Sequence, residues 1–450
     1  MAIVSQELTD NEVPVGSTIE TGTQRKQPVK VPSYRYISPD FAARELRDLW
    51  PKVWQLAGTV DQAPNPGDYF EYRVEPYSVL IVRGADGNLR AFQNVCRHRG
   101  NELCVGSGTG LSEIRCPYHR WSWDLAGRLR EVPSRRGFGI LRNDDYPLIS
   151  VHLDTWGPLV FVNLSPDAEP LEEFLEGVPA DCEWAGLDDF RCTYVVSIEA
   201  KCNWKTLIEA FSETYHVQGI HREMLPMCDD VNSPQRLWSR HGKLQQPYGL
   251  PSSRYRDRPD DATVWAAFIE VMGARIGIPD KTSAGPVPPV PTGQSLRNVL
   301  AERVRDTGRT KGLDFSPFSD DQVMSMQQYN LFPNITVLVF PDLLSVIRAR
   351  PGATADEAVM DAFAFERVPP GHPAPRHQPI EVTVPADSDP PLGLVLSQDV
   401  ANFARTQRGL HQPGFTHLTL SGEECRIVNL HRNLERYLGI SPSELINDVD

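Results

Sequence analysis

Two kinds of pattern in the chain predict an α+β protein. Runs rich in β-branched and aromatic residues mark strands, as at residues 69–74, 78–83, 334–340, 343–350 and 359–367. Two stretches read as helical, residues 203–221 through Glu209, Glu213 and His216 at helical spacing and residues 396–410 through propensity. The strands come in two groups, so the expected architecture is a small antiparallel all-β domain followed by a larger α+β domain with its own antiparallel sheet. A chain of 450 residues exceeds one compact core. The expected division is an arm and helix at 1–53, the all-β domain at 54–165 and the α+β domain at 166–450.

Composition narrows the partners. With 40% hydrophobic and 23% charged residues the chain has globular content. It carries 59 acidic and 45 basic side chains, a net charge of −14, which argues against nucleic acid and anionic membranes as partners. The N-terminus has no apolar signal-peptide core and no apolar run is long enough to span a bilayer, so a cytoplasmic location is expected. In that compartment eight scattered cysteines suggest metal binding rather than a disulfide framework.

Residues 1–33 read as a polar, irregular arm. Ser38-Pro39 opens a helix to about Trp54, with Phe41, Leu46, Leu49 and Trp50 as its apolar face. Asp86-Gly87 marks a hairpin turn after the first strands. Residues 250–312 are rich in Pro and Gly and read as a long irregular excursion, a lid or a solvated insertion. Asp342 reads as a turn residue and 369–391 as a surface connection. Ser397 is a candidate N-cap that puts Asp399 in the first turn of its helix, and Ser421-Gly-Glu-Glu424 is a capping box before the last helix.

Within the first domain Cys96-Arg-His98 and Cys116-Pro-Tyr-His119 each pair a thiol with an imidazole, seventeen residues apart. Two thiolates for one iron and two imidazoles for the other form the ligand set of a Rieske [2Fe–2S] centre. A structural Cys₂His₂ zinc site is the alternative, but zinc fingers group the two cysteines together and the two histidines together. Gly100 and Pro117 suit the tight loops that present the ligands, and Cys104 reads as a small buried residue.

The stretch 203–221 holds His216 and His221, with Glu209 and Glu213 before them. On an unbroken helix Glu209, Glu213 and His216 share one face, and His221 lies roughly 140° from His216. Gly219 between the histidines is the place where the helix can relax and let both imidazoles turn to one point. Two histidines and one carboxylate make the facial triad of non-heme Fe(II) oxygenases.

Cys96-Arg-His-Arg-Gly-Asn-Glu-Leu-Cys104 and Cys116-Pro-Tyr-His-Arg-Trp-Ser-Trp-Asp-Leu-Ala-Gly-Arg-Leu129 resemble the cluster-binding segments of Rieske non-heme iron ring-hydroxylating oxygenases, large (α) subunit. The family's second motif is met by Asn203, Trp204, Lys205, Glu209, Glu213, Tyr215, His216 and His221, and its distant aspartate ligand by Asp399 ahead of Gln407-Arg-Gly-Leu410. The resemblance implies a helix-grip catalytic domain and a [2Fe–2S] cluster on Cys96, His98, Cys116 and His119, which Trp121 and Trp123 shield. It implies Fe(II) on His216, His221 and Asp399, O₂ as co-substrate, and electrons from NAD(P)H through a separate reductase or ferredoxin. No GxGxxG or flavin signature is present, so NAD(P)H should not bind this chain itself.

The resemblance also implies a homotrimer, with or without a small β subunit, in which Glu213 joins a cluster histidine of one subunit to an iron-ligand histidine of the next. Glu213 stands where ring dioxygenases commonly have Asp, and Glu at this place also occurs among relatives acting on quaternary amines. Ala210 replaces a common Asn and hints at a drier pocket. Tyr215 is a candidate to stack near the site or to hydrogen-bond a relay, with packing as the alternative role. Leu207, Phe211, Val217, Met324, Met326, Tyr329, Leu331 and Phe332 are candidate pocket residues, most of which also suit core packing. The expected reaction is hydroxylation of an aromatic or other hydrophobic small molecule. Oxidative O- or N-demethylation, including of a quaternary amine, is the alternative. A Rieske electron carrier without oxygenase activity would leave the residues beyond 165 unexplained.

Overall fold

In the computed structural model, residues 18–19, 27–279, 281–370, 375–386, 388 and 392–446 are described. Among them the first domain is built on a seven-stranded sheet whose two ends in sequence are Gln55–Thr59 and Leu159–Asn163. Tyr69–Val74, Tyr77–Arg83 and Leu89–Gln93 form its meander, and the turn at Asp86-Gly87 is present, with Gly87 at φ +82°. A three-stranded sheet, Ile114–Arg115, Ser122–Trp123 and Leu129–Glu131, lies beside the cysteine–histidine loops.

The second domain is organised on a nine-stranded sheet. Its centre is the run Ser325–Leu331, Ile335–Val339, Leu343–Pro351, Ala358–Arg367 and Phe190–Ala200, antiparallel throughout. Alternate side chains of these strands bury Val337, Val339, Val346, Phe363 and Ile198 into the main core, where Trp50, Trp204 and Leu434 join them. A second apolar cluster packs Val217, Met227, Phe268, Leu300, Met324 and Phe340 together. Asp342 is a turn residue as expected and pairs with Arg275 at 2.5 Å.

Several expectations need correction. Part of the N-terminal arm is ordered: Val29–Pro32 pairs with His417–Leu420, because Val29 and Val31 alternate inward. The pair Thr18–Ile19 adds to the edge of the large sheet, and the rest of the arm lies outside the described residues. The excursion at 250–312 contains two helices, Asp261–Met272 and Leu296–Thr310, started by Asp260 and by a Ser295–Asn298 capping box. The connection at 369–391 contributes Ile380–Val384, which runs parallel to Phe190–Ala200. The helix carrying Asp399 starts at Leu394 rather than at Ser397, which places Asp399 beyond its first turn.

The helix opened by Ser38-Pro39, Pro39–Asp48, is shorter than the reach to Trp54 that the sequence suggests, and a 3₁₀ turn at Trp50–Lys52 follows. Pro51 has no N–H to continue the α-helical ladder. Its start is as read: Ser38 accepts from the Phe41 N–H at 3.2 Å. The capping box at Ser421 and Glu424 is likewise present and leads into the last helix, Cys425–Leu438. No described helix is long and apolar enough to cross a membrane.

Candidate active site

The two cysteine–histidine loops have matching geometry. In each, the N–H four residues on closes the loop onto the cysteine carbonyl, Gly100 to Cys96 at 3.0 Å and Arg120 to Cys116 at 3.1 Å. Both closing residues take positive φ, +76° at Gly100 and +67° at Arg120. Glycine meets that conformation without a Cβ penalty, and Arg120 does not. The loops bring the His98 and His119 rings to 4.6 Å between centroids, and Trp121 stacks on His98 at 5.2 Å with ring planes 5° apart. Cys96 and Cys116 are buried free thiols close enough to interact, and burial raises the Cys96 pKa.

His98 Nδ1 is buried with no hydrogen-bond partner. A buried imidazole nitrogen left unsatisfied is costly, and a metal ion in front of it removes that cost. Trp121 and Trp123 are buried as the sequence reading implied, whereas Cys104 is only partly buried. The thiols and the orphaned imidazole nitrogen fit an iron–sulfur cluster held by Cys96, His98, Cys116 and His119. The arginines around the loops are partly neutralised, Arg115 by Glu113 and Glu131 and Arg128 by Asp124.

The stretch from Asn203 does not form one helix. Asn203 caps Trp204–Ala210 by accepting from the Lys205 N–H at 3.1 Å. The helix then stops, because the Phe211 carbonyl is taken by the side-chain amides of Gln328 and Asn330, the latter at 2.8 Å. Thr214 Oγ1 donates to the Asp230 carbonyl at 2.9 Å, and a short second helix, Val217–Ile220, follows. The break therefore lies between Phe211 and His216 and not at Gly219, which is inside the second helix. Its physical cause is the sheet's amides, which a helical-wheel argument cannot see.

That break separates Glu209 from Glu213. Glu209 is buried among Tyr36 and His431: the Tyr36 hydroxyl donates to it at 2.8 Å and His431 Nε2 lies 2.9 Å away. Burial pushes its carboxyl up to about 8, although Tyr36 and Lys205 pull the other way. Glu213 instead turns back on His216. Its Oε1 lies 2.5 Å from His216 Nδ1 and its Oε2 accepts the His216 backbone N–H at 2.9 Å. Burial disfavours a charged His216 ring, but the hydrogen bond and charge of Glu213 outweigh it and raise the pKa.

Three side chains converge. One ligand atom each from His216, His221 and Asp399 lies within 4.8 Å of the others. Both histidine Nε2 atoms face Asp399 Oδ1, at 3.8 Å from His216 and 3.1 Å from His221. The Asp399 side chain is 3% exposed, and among the described residues it faces these two imidazoles. A buried carboxylate without a Lys or Arg calls for a cation, so this N,N,O set fits a divalent metal.

Gln398 was not foreseen: its Oε1 lies 2.7 Å from His221 Nδ1. Adjacency to Asp399 was the one signal available, since only the fold reveals that His221 lies there. Tyr215 is not part of the cluster; the residue is 49% exposed and its ring lies 5.9 Å from the Arg254 guanidinium. The pocket candidates divide. Leu207, Tyr329, Leu331 and Phe332 belong to the main core, Val217, Met324 and Met326 to the second cluster, and Phe211 packs against Phe403 at 6.3 Å.

Fold and site together define a two-part chain, a Rieske domain followed by a mononuclear metal domain. Comparison with known families agrees: the Rieske [2Fe-2S] domain matches residues 53–147, and the ring hydroxylating alpha subunit (catalytic domain) matches residues 187–440. The chain belongs to the Rieske-type ring-hydroxylating oxygenase α-subunit family.

It is 29% identical to the glycine betaine monooxygenase oxygenase subunit of Pseudomonas aeruginosa over 222 residues, 49% of this chain and 52% of the relative. It is 29% identical to the carnitine monooxygenase oxygenase subunit of Escherichia coli over 223 residues, 49% of this chain and 59% of that one. With the biphenyl 2,3-dioxygenase subunit alpha of Rhodococcus jostii it shares 29% over 201 residues, 40% of this chain and 41% of that one. The match thus spans about half the length of the first of these relatives.

Among solved structures, a quaternary ammonium Rieske monooxygenase in complex with L-carnitine superposes with TM-score 0.62 and 17% identity, over 91% of this chain and 95% of that chain. Naphthalene 1,2-dioxygenase from Rhodococcus sp. gives 0.63 and 18%, over 92% and 95%. At these identities the superpositions show the shared fold.

Proposed function

We propose that the chain is the terminal oxygenase of a multicomponent system, hydroxylating a small molecule with O₂ and electrons from NAD(P)H delivered by a separate reductase, with or without a ferredoxin. The observation that carries this reading is the convergence of His216, His221 and Asp399 in a chain that also presents the Rieske ligand loops. A carrier of electrons alone has no use for the second site.

In this reading Cys96, Cys116, His98 and His119 hold the [2Fe–2S] cluster, and His216, His221 and Asp399 hold Fe(II). When bound, the cluster supplies electrons one at a time and the ferrous ion supplies O₂ activation. Asp399 provides the anionic ligand, and its burial with His221 keeps bulk water from competing there. Glu213 fixes the His216 ring by gripping its Nδ1 and its backbone N–H together. It is also the bridging candidate between subunits of a homotrimer. Exposed apolar side chains beside the cluster loops, Tyr118, Phe138 and Ile140, and exposed Tyr215 next to Glu213 are consistent with a second copy covering both faces. A cytoplasmic setting beside the reductase completes the reading.

For the substrate, oxidative N-demethylation of a quaternary ammonium compound has two supports: glutamate at position 213, and relatives named as glycine betaine and carnitine monooxygenases. One oxygen atom enters an N-methyl C–H bond, the other leaves as water with two electrons and two protons, and formaldehyde departs from the demethylated amine. Hydroxylation of an aromatic compound is the second reading. It is favoured by the apolar cluster of Val217, Met324 and Phe340, which Val217 joins as the neighbour of His216 in the chain, and by the biphenyl dioxygenase relative. Turnover with a surrogate reductase on betaine, carnitine, biphenyl and naphthalene distinguishes them through formaldehyde or diol formation. The Asp399→Ala protein should lose all product formation while keeping its Rieske absorption. Retained turnover would refute the oxygenase site.

A further inference from the structure

The two histidines of the site are held from behind by unlike partners. His216 Nδ1 meets a carboxylate, Glu213 Oε1, at 2.5 Å, whereas His221 Nδ1 meets a neutral amide, Gln398 Oε1, at 2.7 Å. Both rings turn Nε2 toward Asp399. An imidazole that offers the Nε2 lone pair to a cation carries its proton on Nδ1, and the acceptor behind Nδ1 fixes both tautomer and ring plane. Gln398 immediately precedes Asp399 on the helix Leu394–Leu410. One helical segment therefore delivers a metal ligand and the orienting acceptor for another ligand that is remote in sequence.

Charge explains why an amide suits this place. Asp399 and Glu213 bring two negative charges, which a divalent cation balances. His221 and Asp399 are 2% and 3% exposed, so a third carboxylate behind His221 would leave an excess charge where water cannot screen it.

From this asymmetry we infer that Gln398 is a positioning residue, holding His221 in the Nδ1–H tautomer through a neutral acceptor that leaves the metal-loaded site electrically balanced. The inference rests on the ligand set of the proposed function. It is tested on the full chain, with its cluster retained and its mononuclear metal removed, by calorimetric titration with Co(II).

Gln398→Leu removes the acceptor at similar size and should bind Co(II) about 10–100-fold more weakly, with cluster absorption and melting temperature unchanged. Gln398→Glu restores the acceptor and adds charge, so it should bind Co(II) more tightly than the wild type. Wild-type affinity in the leucine variant overturns the orienting role. A glutamate variant as weak as the leucine variant reduces Gln398 to packing, and one with only wild-type affinity overturns the charge balance. If wild type and Asp399→Ala alike bind no Co(II), the ligand set itself fails, and with it the proposed function.

Discussion

Glu209→Gln tests whether the buried knot around the helix Trp204–Ala210 is controlled by one proton. Glu209 accepts from the Tyr36 hydroxyl at 2.8 and 3.0 Å and sits 2.9 Å from His431 Nε2. Burial pushes its carboxyl from 4.5 up to about 8 and drives His431 well below its usual range, so the imidazole is neutral. The charges around it are already matched: Lys205 Nζ lies 2.6 Å from Glu45 Oε1, and Arg35 lies 2.6 Å from Glu435. An ionised Glu209 adds an unmatched negative charge to this interior.

Because the folded-state pKa is raised, the native chain keeps a proton that the unfolded chain gives up above about 4.5. The associated stability is fully present below that value and is lost as pH rises through about 8. At ~1.4 kcal/mol per unit, the whole window amounts to a few kcal/mol. Glutamine keeps the shape and the acceptor oxygen but cannot ionise. Melting temperatures of the two proteins, followed by near-ultraviolet circular dichroism between pH 5.5 and 9, should diverge with rising pH, in favour of the glutamine variant. Parallel curves over that range would refute the single-proton account.

One further outcome follows from the bridging role proposed for Glu213 and one from the geometry around Asp361. Glu213→Gln should leave both metals bound and stop electron transfer from cluster to iron, so a normal single-turnover rate would count against the bridge. Asp361 is 1% exposed and lies between Arg348 at 2.8 Å and Arg350 at 2.7 Å; Arg348 also reaches the carbonyls of Leu56 and Ala57 in the first domain. Asp361→Ala leaves the buried Arg348 and the partly buried Arg350 without their carboxylate and should cost about 3–5 kcal/mol in denaturant unfolding. A loss under about 1 kcal/mol would show that the arginines find other partners.

How much of this was legible in the sequence differs from element to element. The central strands of the large sheet were legible because β-branched runs carry their own period. That a helix follows Asn203 was legible in the spacing of the residues after it, but its cap and its end were not, because Gln328 and Asn330 stop it from a distant strand. The partners of Glu209 were equally out of reach: Tyr36 and His431 come from opposite ends of the chain.

By itself the sequence determined the chemistry on offer: two Cys–His loops, a pair of histidines and a set of carboxylates, each legible because its spacing is local. Only the tertiary structure decided which of these meet. It brought Asp399 to His216 and His221, put Gln398 behind His221 and turned Glu213 away from Glu209. Those contacts depend on how a helix packs across a sheet, and that packing is fixed by burial summed over the whole core rather than by any neighbour in the chain.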